Sequence, residues 1–266
     1  MTLLVKMKLI VGLCVIFVLA VNASPESRIA GGSVANIANF PFSAALLNNV
    51  QYGTFRQLCG GTIISSNAIL SSASCFFTGT TPHQEVTWRA RLGSASANSG
   101  GLVYIIRLIT THPDYVPATK VHDIAVVRTT LNIIFGPNVQ AAYLAGGAYS
   151  VPSGQAVTAI GWGATSATSG LSATLRQVTI WVTEQATCVT RYSAVDFAVT
   201  DQMICAGWLD VGIRGQCTGD TGSPLLHGNV VVGVFSWAEG CAAARYPNIN
   251  TRVSSYSRWI EATAVA

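Results

Sequence analysis

Gly219-Asp220-Thr221-Gly222-Ser223-Pro224 places an aspartate and a threonine hydroxyl on a tight turn between two glycines, with a proline closing it. The rest of the chain reads as scaffolding for that hydroxyl. Upstream, Leu70-Ser71-Ser72-Ala73-Ser74-Cys75 ends in a second small hydroxyl, Ser74, directly before a cysteine. Around these stretches the chain has 266 residues, 50% hydrophobic and 10% charged, enough to bury a large core in one domain or in two packed halves.

Residues 1–23 read as a secretory signal peptide. Lys6 and Lys8 form a basic n-region, Leu9 to Ala20 an apolar h-region, and Val21-Asn22-Ala23 supplies small residues for cleavage. The apolar run is too short to span a bilayer, so secretion is expected and membrane attachment is not. With Cys14 removed, Cys59, Cys75, Cys188, Cys205, Cys217 and Cys241 form an even set in an oxidising compartment, which reads as three disulfides whose pairing spacing leaves open. No CxxC occurs and no histidine clusters with the cysteines, so no metal is expected. The formal charge of +4 falls once Lys6, Lys8, Glu26 and Arg28 leave, and no basic run remains to bind nucleic acid. Lys120 is the sole lysine beyond Arg28. An alkaline working environment, where guanidinium outlasts ammonium as a cation, and compositional drift both account for that.

From Phe42 to Arg128, short apolar runs such as Gly60–Ile64, Val103–Ile106 and Ile124–Val127 alternate with turn residues. The rhythm returns at Ala156–Ile160, Gln177–Val182 and Val230–Phe235, after a connection running from Phe135-Gly136-Pro137-Asn138 to Ala145-Gly146-Gly147. This is an all-β pattern, which by itself leaves barrel and sandwich open. Tyr256, Trp259 and Ile260 lie at helical spacing and predict a terminal helix over 254–263, docked on the second half.

Gly219–Pro224 resembles the GDSGGP turn of the chymotrypsin-like (trypsin superfamily) serine proteases, and Leu70–Cys75 resembles their LTAAHC. Arg28-Ile29-Ala30-Gly31-Gly32 is similar to their RIVGG activation junction, Cys59–Ile64 to CGGTLI, His122–Val127 to (N/H)DIALL, Gly161–Gly163 to GWG and Ser236–Ala238 to SWG. The resemblance covers nearly all of residues 29–266. It implies two packed antiparallel six-stranded β-barrels with a C-terminal helix, the N-terminal barrel reaching about residue 135 and the C-terminal one starting near 150. It further implies bridges Cys59–Cys75, Cys188–Cys205 and Cys217–Cys241. Residues 24–28 become an activation propeptide, cut after Arg28 by a trypsin-like protease so that the amino group of Ile29 pairs with Asp220. A buried carboxylate needs such a cation to offset its desolvation. The short propeptide and motif style are similar to the digestive chymotrypsins of insects, which implies the gut lumen.

In that family a serine attacks, a histidine takes its proton and an aspartate orients the histidine. The resemblance assigns these positions to Thr221, Ser74 and Asp123, so only the aspartate is kept. A serine hydroxyl cannot accept a proton near neutral pH, and the β-branched methyl of Thr221 restricts its χ1. His122, adjoining Asp123, should face away if both lie on a strand; His83, His112 and His227 have no link to the site. The N–H groups of Gly219 and Thr221 match the oxyanion donors. Gly215, six residues before Thr221, falls at the floor of the specificity pocket and carries no charge. Ala238 and Ala244 fall on the walls, whose methyls narrow the slot for medium-sized apolar groups, and Ser236, Trp237 and Ala238 offer backbone pairing to a peptide. The segment from Arg91 to Gly101 contains no acid, so no calcium is expected. The expectation is a secreted, monomeric, cofactor-free homologue without hydrolytic activity that binds peptides, protein substrates or protease inhibitors. The alternative is a weakly active serine-type endopeptidase of digestive type.

Overall fold

The computed structural model describes residues 30–49 and 53–265. The signal and propeptide assignments, with Arg28 and Ile29, lie outside these residues. Among the described residues no helix is long and apolar enough to cross a membrane.

Twelve strands build two barrels. In the first, β1 (Ser43–Asn48), β2 (Arg56–Ile63), β3 (Ala68–Ser71), β4 (Trp88–Leu92), β5 (Leu102–Thr111) and β6 (Ala125–Thr129) close antiparallel in the ring order β1-β2-β3-β6-β5-β4. In the second, β7 (Ala156–Gly161), β8 (Arg176–Val182), β9 (Met203–Gly207), β10 (Pro224–His227), β11 (Val230–Trp237) and β12 (Asn248–Arg252) close as β7-β8-β9-β12-β11-β10. The two rings share one connectivity, so the fold is a topological repeat of which the sequence shows only the strand rhythm. In the connecting segment, Tyr143–Leu144 pairs in parallel with Val230 and Val231.

Strand β1 shows why an unbroken apolar run was needed. Its side chains alternate between two faces, and both faces are covered. Ala44 and Leu46 enter the large core, while Ala45 and Leu47 join Trp162 and Leu175 of the second barrel. Indole Nε1 of Trp162 then donates to the Ala95 carbonyl at 2.8 Å, tying the barrels by a polar contact inside an apolar seam. The three disulfides pair as the resemblance implied: Cys59–Cys75, Cys188–Cys205 and Cys217–Cys241. Cys188 ties β9 to helix α1 (Gln185–Ser193).

The terminal helix α2 (Ser257–Val265) follows a single 3-10 turn over Val253–Tyr256. It docks on the first barrel as well as leaving the second, which corrects the expected docking. The rings of Tyr256 and Trp259 meet His112, and Tyr256 also meets His122, whose Nδ1 lies 2.9 Å from its hydroxyl. Partners from the other barrel are invisible in the helical period that located this helix.

Ser223 stands where the resembled turn has glycine. Its side chain is buried with Oγ unpartnered, and it fits because two glycines face it: a Cβ on Gly60 would fall 1.9 Å from Ser223 Oγ, and one on Gly161 2.9 Å. An unpaired buried hydroxyl costs about 1–3 kcal/mol. Ser223→Ala should therefore stabilise the protein by about 1 kcal/mol, read as a higher midpoint in denaturant unfolding; a lower midpoint would show that the hydroxyl has a partner.

Candidate active site

The turn carrying Thr221 belongs to the second barrel but is held by the first. Gly60 N–H donates to the Thr221 carbonyl at 2.8 Å, and Gln57 Nε2 donates to the Gly219 carbonyl at 2.7 Å. Gly222 has φ +85°, and a Cβ there would fall 2.1 Å from Ser71 Oγ and 2.4 Å from the Gly60 carbonyl. Both its conformation and its close approach to β2 demand glycine. The N–H groups of Gly219 and Thr221 donate to no group among the described residues.

Ser74 lies in the 3-10 turn Ala73–Phe76 after β3, fixed to β2 by the Cys59–Cys75 bridge. Asp123 is fully buried. Its Oδ1 accepts from Ser74 N–H at 2.6 Å; its Oδ2 accepts from Ser74 Oγ at 2.9 Å and from Ser236 Oγ at 2.5 Å. Thr251 Oγ1 donates to its backbone carbonyl at 2.7 Å. Ser236 reaches Asp123 from an irregularity in the β11–β12 ladder between Phe235 and Trp237. Three short donors meet the charge of this carboxylate, and none of them is an imidazole.

The four histidines are engaged elsewhere. His122 pairs with Tyr256 and stacks on His112 with ring centroids 4.7 Å apart. His83 Nε2 lies 2.8 Å from Thr78 Oγ1, and His227 Nδ1 lies 2.9 Å from the Tyr149 hydroxyl. His122 faces away from the carboxylate for a reason other than strand alternation. It precedes β6 and has φ 57°, so a left-handed turn directs it. Burial pushes the Tyr115 phenol up, the charge of Asp123 adding to it, and Tyr256 is likewise pushed up to about 12. Neither phenol offers a base at neutral pH.

A cleft of about 640 Å³ brings Ser74, Gly219, Thr221, Ser236, Trp237 and Ala238 together, with the Cys217–Cys241 bridge along one side. It does not include Gly215 or Ala244. The Ala244 carbonyl accepts from Asp210 N–H at 2.7 Å. Sequence reasoning missed Lys120, Phe77 and Leu58, which also line the cleft. Lys120, lone lysine of the region after Arg28, was the one available signal.

Asp220 forms a second buried acid, also fully enclosed. Oδ1 accepts from Gly163 N–H at 2.7 Å and Oδ2 from Cys217 N–H at 3.0 Å. The glycines of Gly161-Trp162-Gly163 make its chamber, since a Cβ on either would come within 2.1 or 2.3 Å of a carboxylate oxygen. Desolvation pushes its pKa up to about 7, the two N–H bonds opposing. Among the described residues no cation pairs with it.

The fold and the motif set define a chymotrypsin-like serine protease domain. The family model for trypsin matches residues 29–260. Trypsin CFT-1 of Choristoneura fumiferana is 45% identical over 260 residues, covering 97% of this chain and 100% of that protein. The alkaline trypsin C of Manduca sexta is 46% identical over 245 residues, 91% of this chain and 93% of the relative. Achelase-1 of Lonomia achelous is 41% identical over 240 residues, 89% and 100%. The chain belongs to the trypsin family; two of these three relatives bear trypsin names, where the motif style pointed to chymotrypsins.

The raised pKa of Asp220 has a measurable consequence. A carboxyl that keeps its proton in the folded state to about pH 7, but loses it near 3.8 when unfolded, supports folding less as pH rises between those values. In the chain uncut after Arg28, the stability of Asp220→Asn relative to the parent should grow from pH 4 to pH 8, shifting the thermal midpoint by several degrees. A difference independent of pH would show that Asp220 is already paired with a cation.

Proposed function

We propose that this trypsin-family chain is a secreted, non-hydrolytic homologue whose cleft holds peptides, protein substrates or protein-type protease inhibitors. One observation carries the proposal: the buried carboxylate of Asp123 is capped by Ser74 N–H, Ser74 Oγ and Ser236 Oγ, in the place where an imidazole would serve Thr221. Without a proton acceptor, the Thr221 hydroxyl is a weak nucleophile. Loss of one member of such a unit costs on the order of a millionfold and further losses add little. Donors aimed at a developing oxyanion still leave ~10³ over water, far too little for digestion.

The binding half is better provided. The unspent N–H groups of Gly219 and Thr221, the open cleft and the Cys217–Cys241 bridge support recognition of an extended chain. Residues 1–23 support secretion, and the short propeptide and motif style, similar to those of digestive proteases of insects, support a place in the gut lumen. The single lysine beyond Arg28 is in keeping with relatives that are named alkaline trypsins. Activation follows the family: a trypsin-like protease cuts after Arg28 and the amino group of Ile29 supplies the cation that Asp220 lacks. The same unspent N–H groups favour the second reading, a weak endopeptidase with Thr221 as nucleophile.

Two experiments separate the readings. After tryptic cutting, Ser74→His with Thr221→Ser should restore measurable hydrolysis of peptide anilides, while the parent shows none above background. Protein-type protease inhibitors should form complexes with the cut parent at micromolar concentration or below. Absence of any complex would overturn the binding role, and parent hydrolysis abolished by Thr221→Ala would establish the second reading.

A further inference from the structure

The floor beneath the cleft is built differently from its rim. A Cβ on Gly215 would fall 2.4 Å from Asn248 Oδ1 and 3.4 Å from the Ala242 Cα. The space over Gly215 therefore belongs to Asn248, the first residue of β12. Its carboxamide is fixed at both ends: Oδ1 accepts from Gln216 N–H at 3.1 Å, and Nδ2 donates to the Gln216 carbonyl at 3.0 Å. Asn248 is 2% exposed and Gln216 fully buried.

The side chain of Gln216 is unusual in a second way. Both its amide atoms are buried with no hydrogen-bond partner, as is Oδ1 of Asn250. Asn250 lies two residues beyond Asn248 on β12, so the two side chains share one face of the strand. A buried unpaired amide is costly, so the floor is polar where the Gln216 backbone clamps Asn248. The cleft ends at Cys217, Gly240 and Cys241, and neither Gly215 nor Gln216 lines it.

We propose that Asn248 and Gln216 close the specificity pocket, so that the cleft accepts a small uncharged side chain, glycine, alanine or serine, at its principal position. The proposal rests on the reading of the cleft as a peptide site and names the class of peptide it takes. A cationic side chain would need a buried carboxylate that Gly215 does not supply. A large aromatic one would need the volume that the Asn248 carboxamide holds, and displacing it would leave the N–H and carbonyl of Gln216 unpaired. Asn248 is thus the specificity-determining residue, and Gln216 the positioning residue that holds it through its backbone.

Small aromatic probes test closure apart from peptide binding. With the full chain cut after Arg28, ligand-observed NMR should show neither benzamide nor benzamidine bound at millimolar concentration. Asn248→Gly should bind benzamide at least about tenfold more tightly, whereas Gln216→Ala, which keeps the backbone clamp, should stay closed. In calorimetry with peptides Ala-Ala-Pro-X, the parent should prefer alanine to phenylalanine or arginine at X by about tenfold, and Asn248→Gly should reverse the preference over phenylalanine. Binding of either probe by the parent, or its preference for phenylalanine or arginine, would overturn the proposal. If Asn248→Gly fails to fold, the probe and peptide preferences of the parent decide. No peptide binding at all, with benzamide bound by Asn248→Gly alone, would overturn the peptide-site reading and support closure.

Discussion

The hydrogen bond from Gly60 N–H to the Thr221 carbonyl, 2.8 Å across the seam between barrels, fixes where everything in the site stands. It forms because Gly60 and Gly222 lack side chains; on either, a Cβ would fall within 2.4 Å of an atom of the other barrel. The seam around it is apolar, with Ala45, Leu47, Trp162 and Leu175 buried together. Each barrel thus contributes half of a cleft that neither could form alone. The Cys59–Cys75 bridge and the Gln57 contact with Gly219 hold the first barrel to that geometry.

Within this frame two buried acids have different fates. Asp123 is surrounded by hydroxyl and amide donors, and among the described residues no imidazole bonds to it. Asp220 has two N–H donors and glycine walls, a chamber whose desolvation cost only a cation or a proton relieves. On the proposed reading, a static hydrogen-bonded arrangement around Asp123 stands in place of a catalytic one, while the chamber of Asp220 is shaped to take a cation such as a new amino terminus. The proposed binding role rests on that division.

Much of this was legible in the residues. The glycines of Gly219–Pro224 and Cys59–Ile64 announced a close backbone approach, and the strand rhythm with six cysteines announced an all-β, bridged chain. Ser74 and Thr221 were readable as departures from the resembled motifs because the stretches around them otherwise match. What escaped depends on contacts between distant segments. The docking of α2 on the first barrel rests on His112 and His122, more than 130 residues before Tyr256 in the latter case. The direction of His122 comes from a positive φ that no strand pattern reveals. The filling of the floor by Asn248 follows from its two hydrogen bonds with the Gln216 backbone, which set its carboxamide over Gly215 and which counting back from Thr221 could not show.

The central claim is that Thr221 has no base. It is tested most directly by incubating the chain, cut after Arg28, with a fluorophosphonate and mapping adducts by mass spectrometry. The account predicts no adduct on Thr221 in the parent and labelling of residue 221 in the double variant Ser74→His, Thr221→Ser. Stoichiometric phosphonylation of Thr221 in the parent would contradict it, showing that a proton acceptor serves that hydroxyl after all.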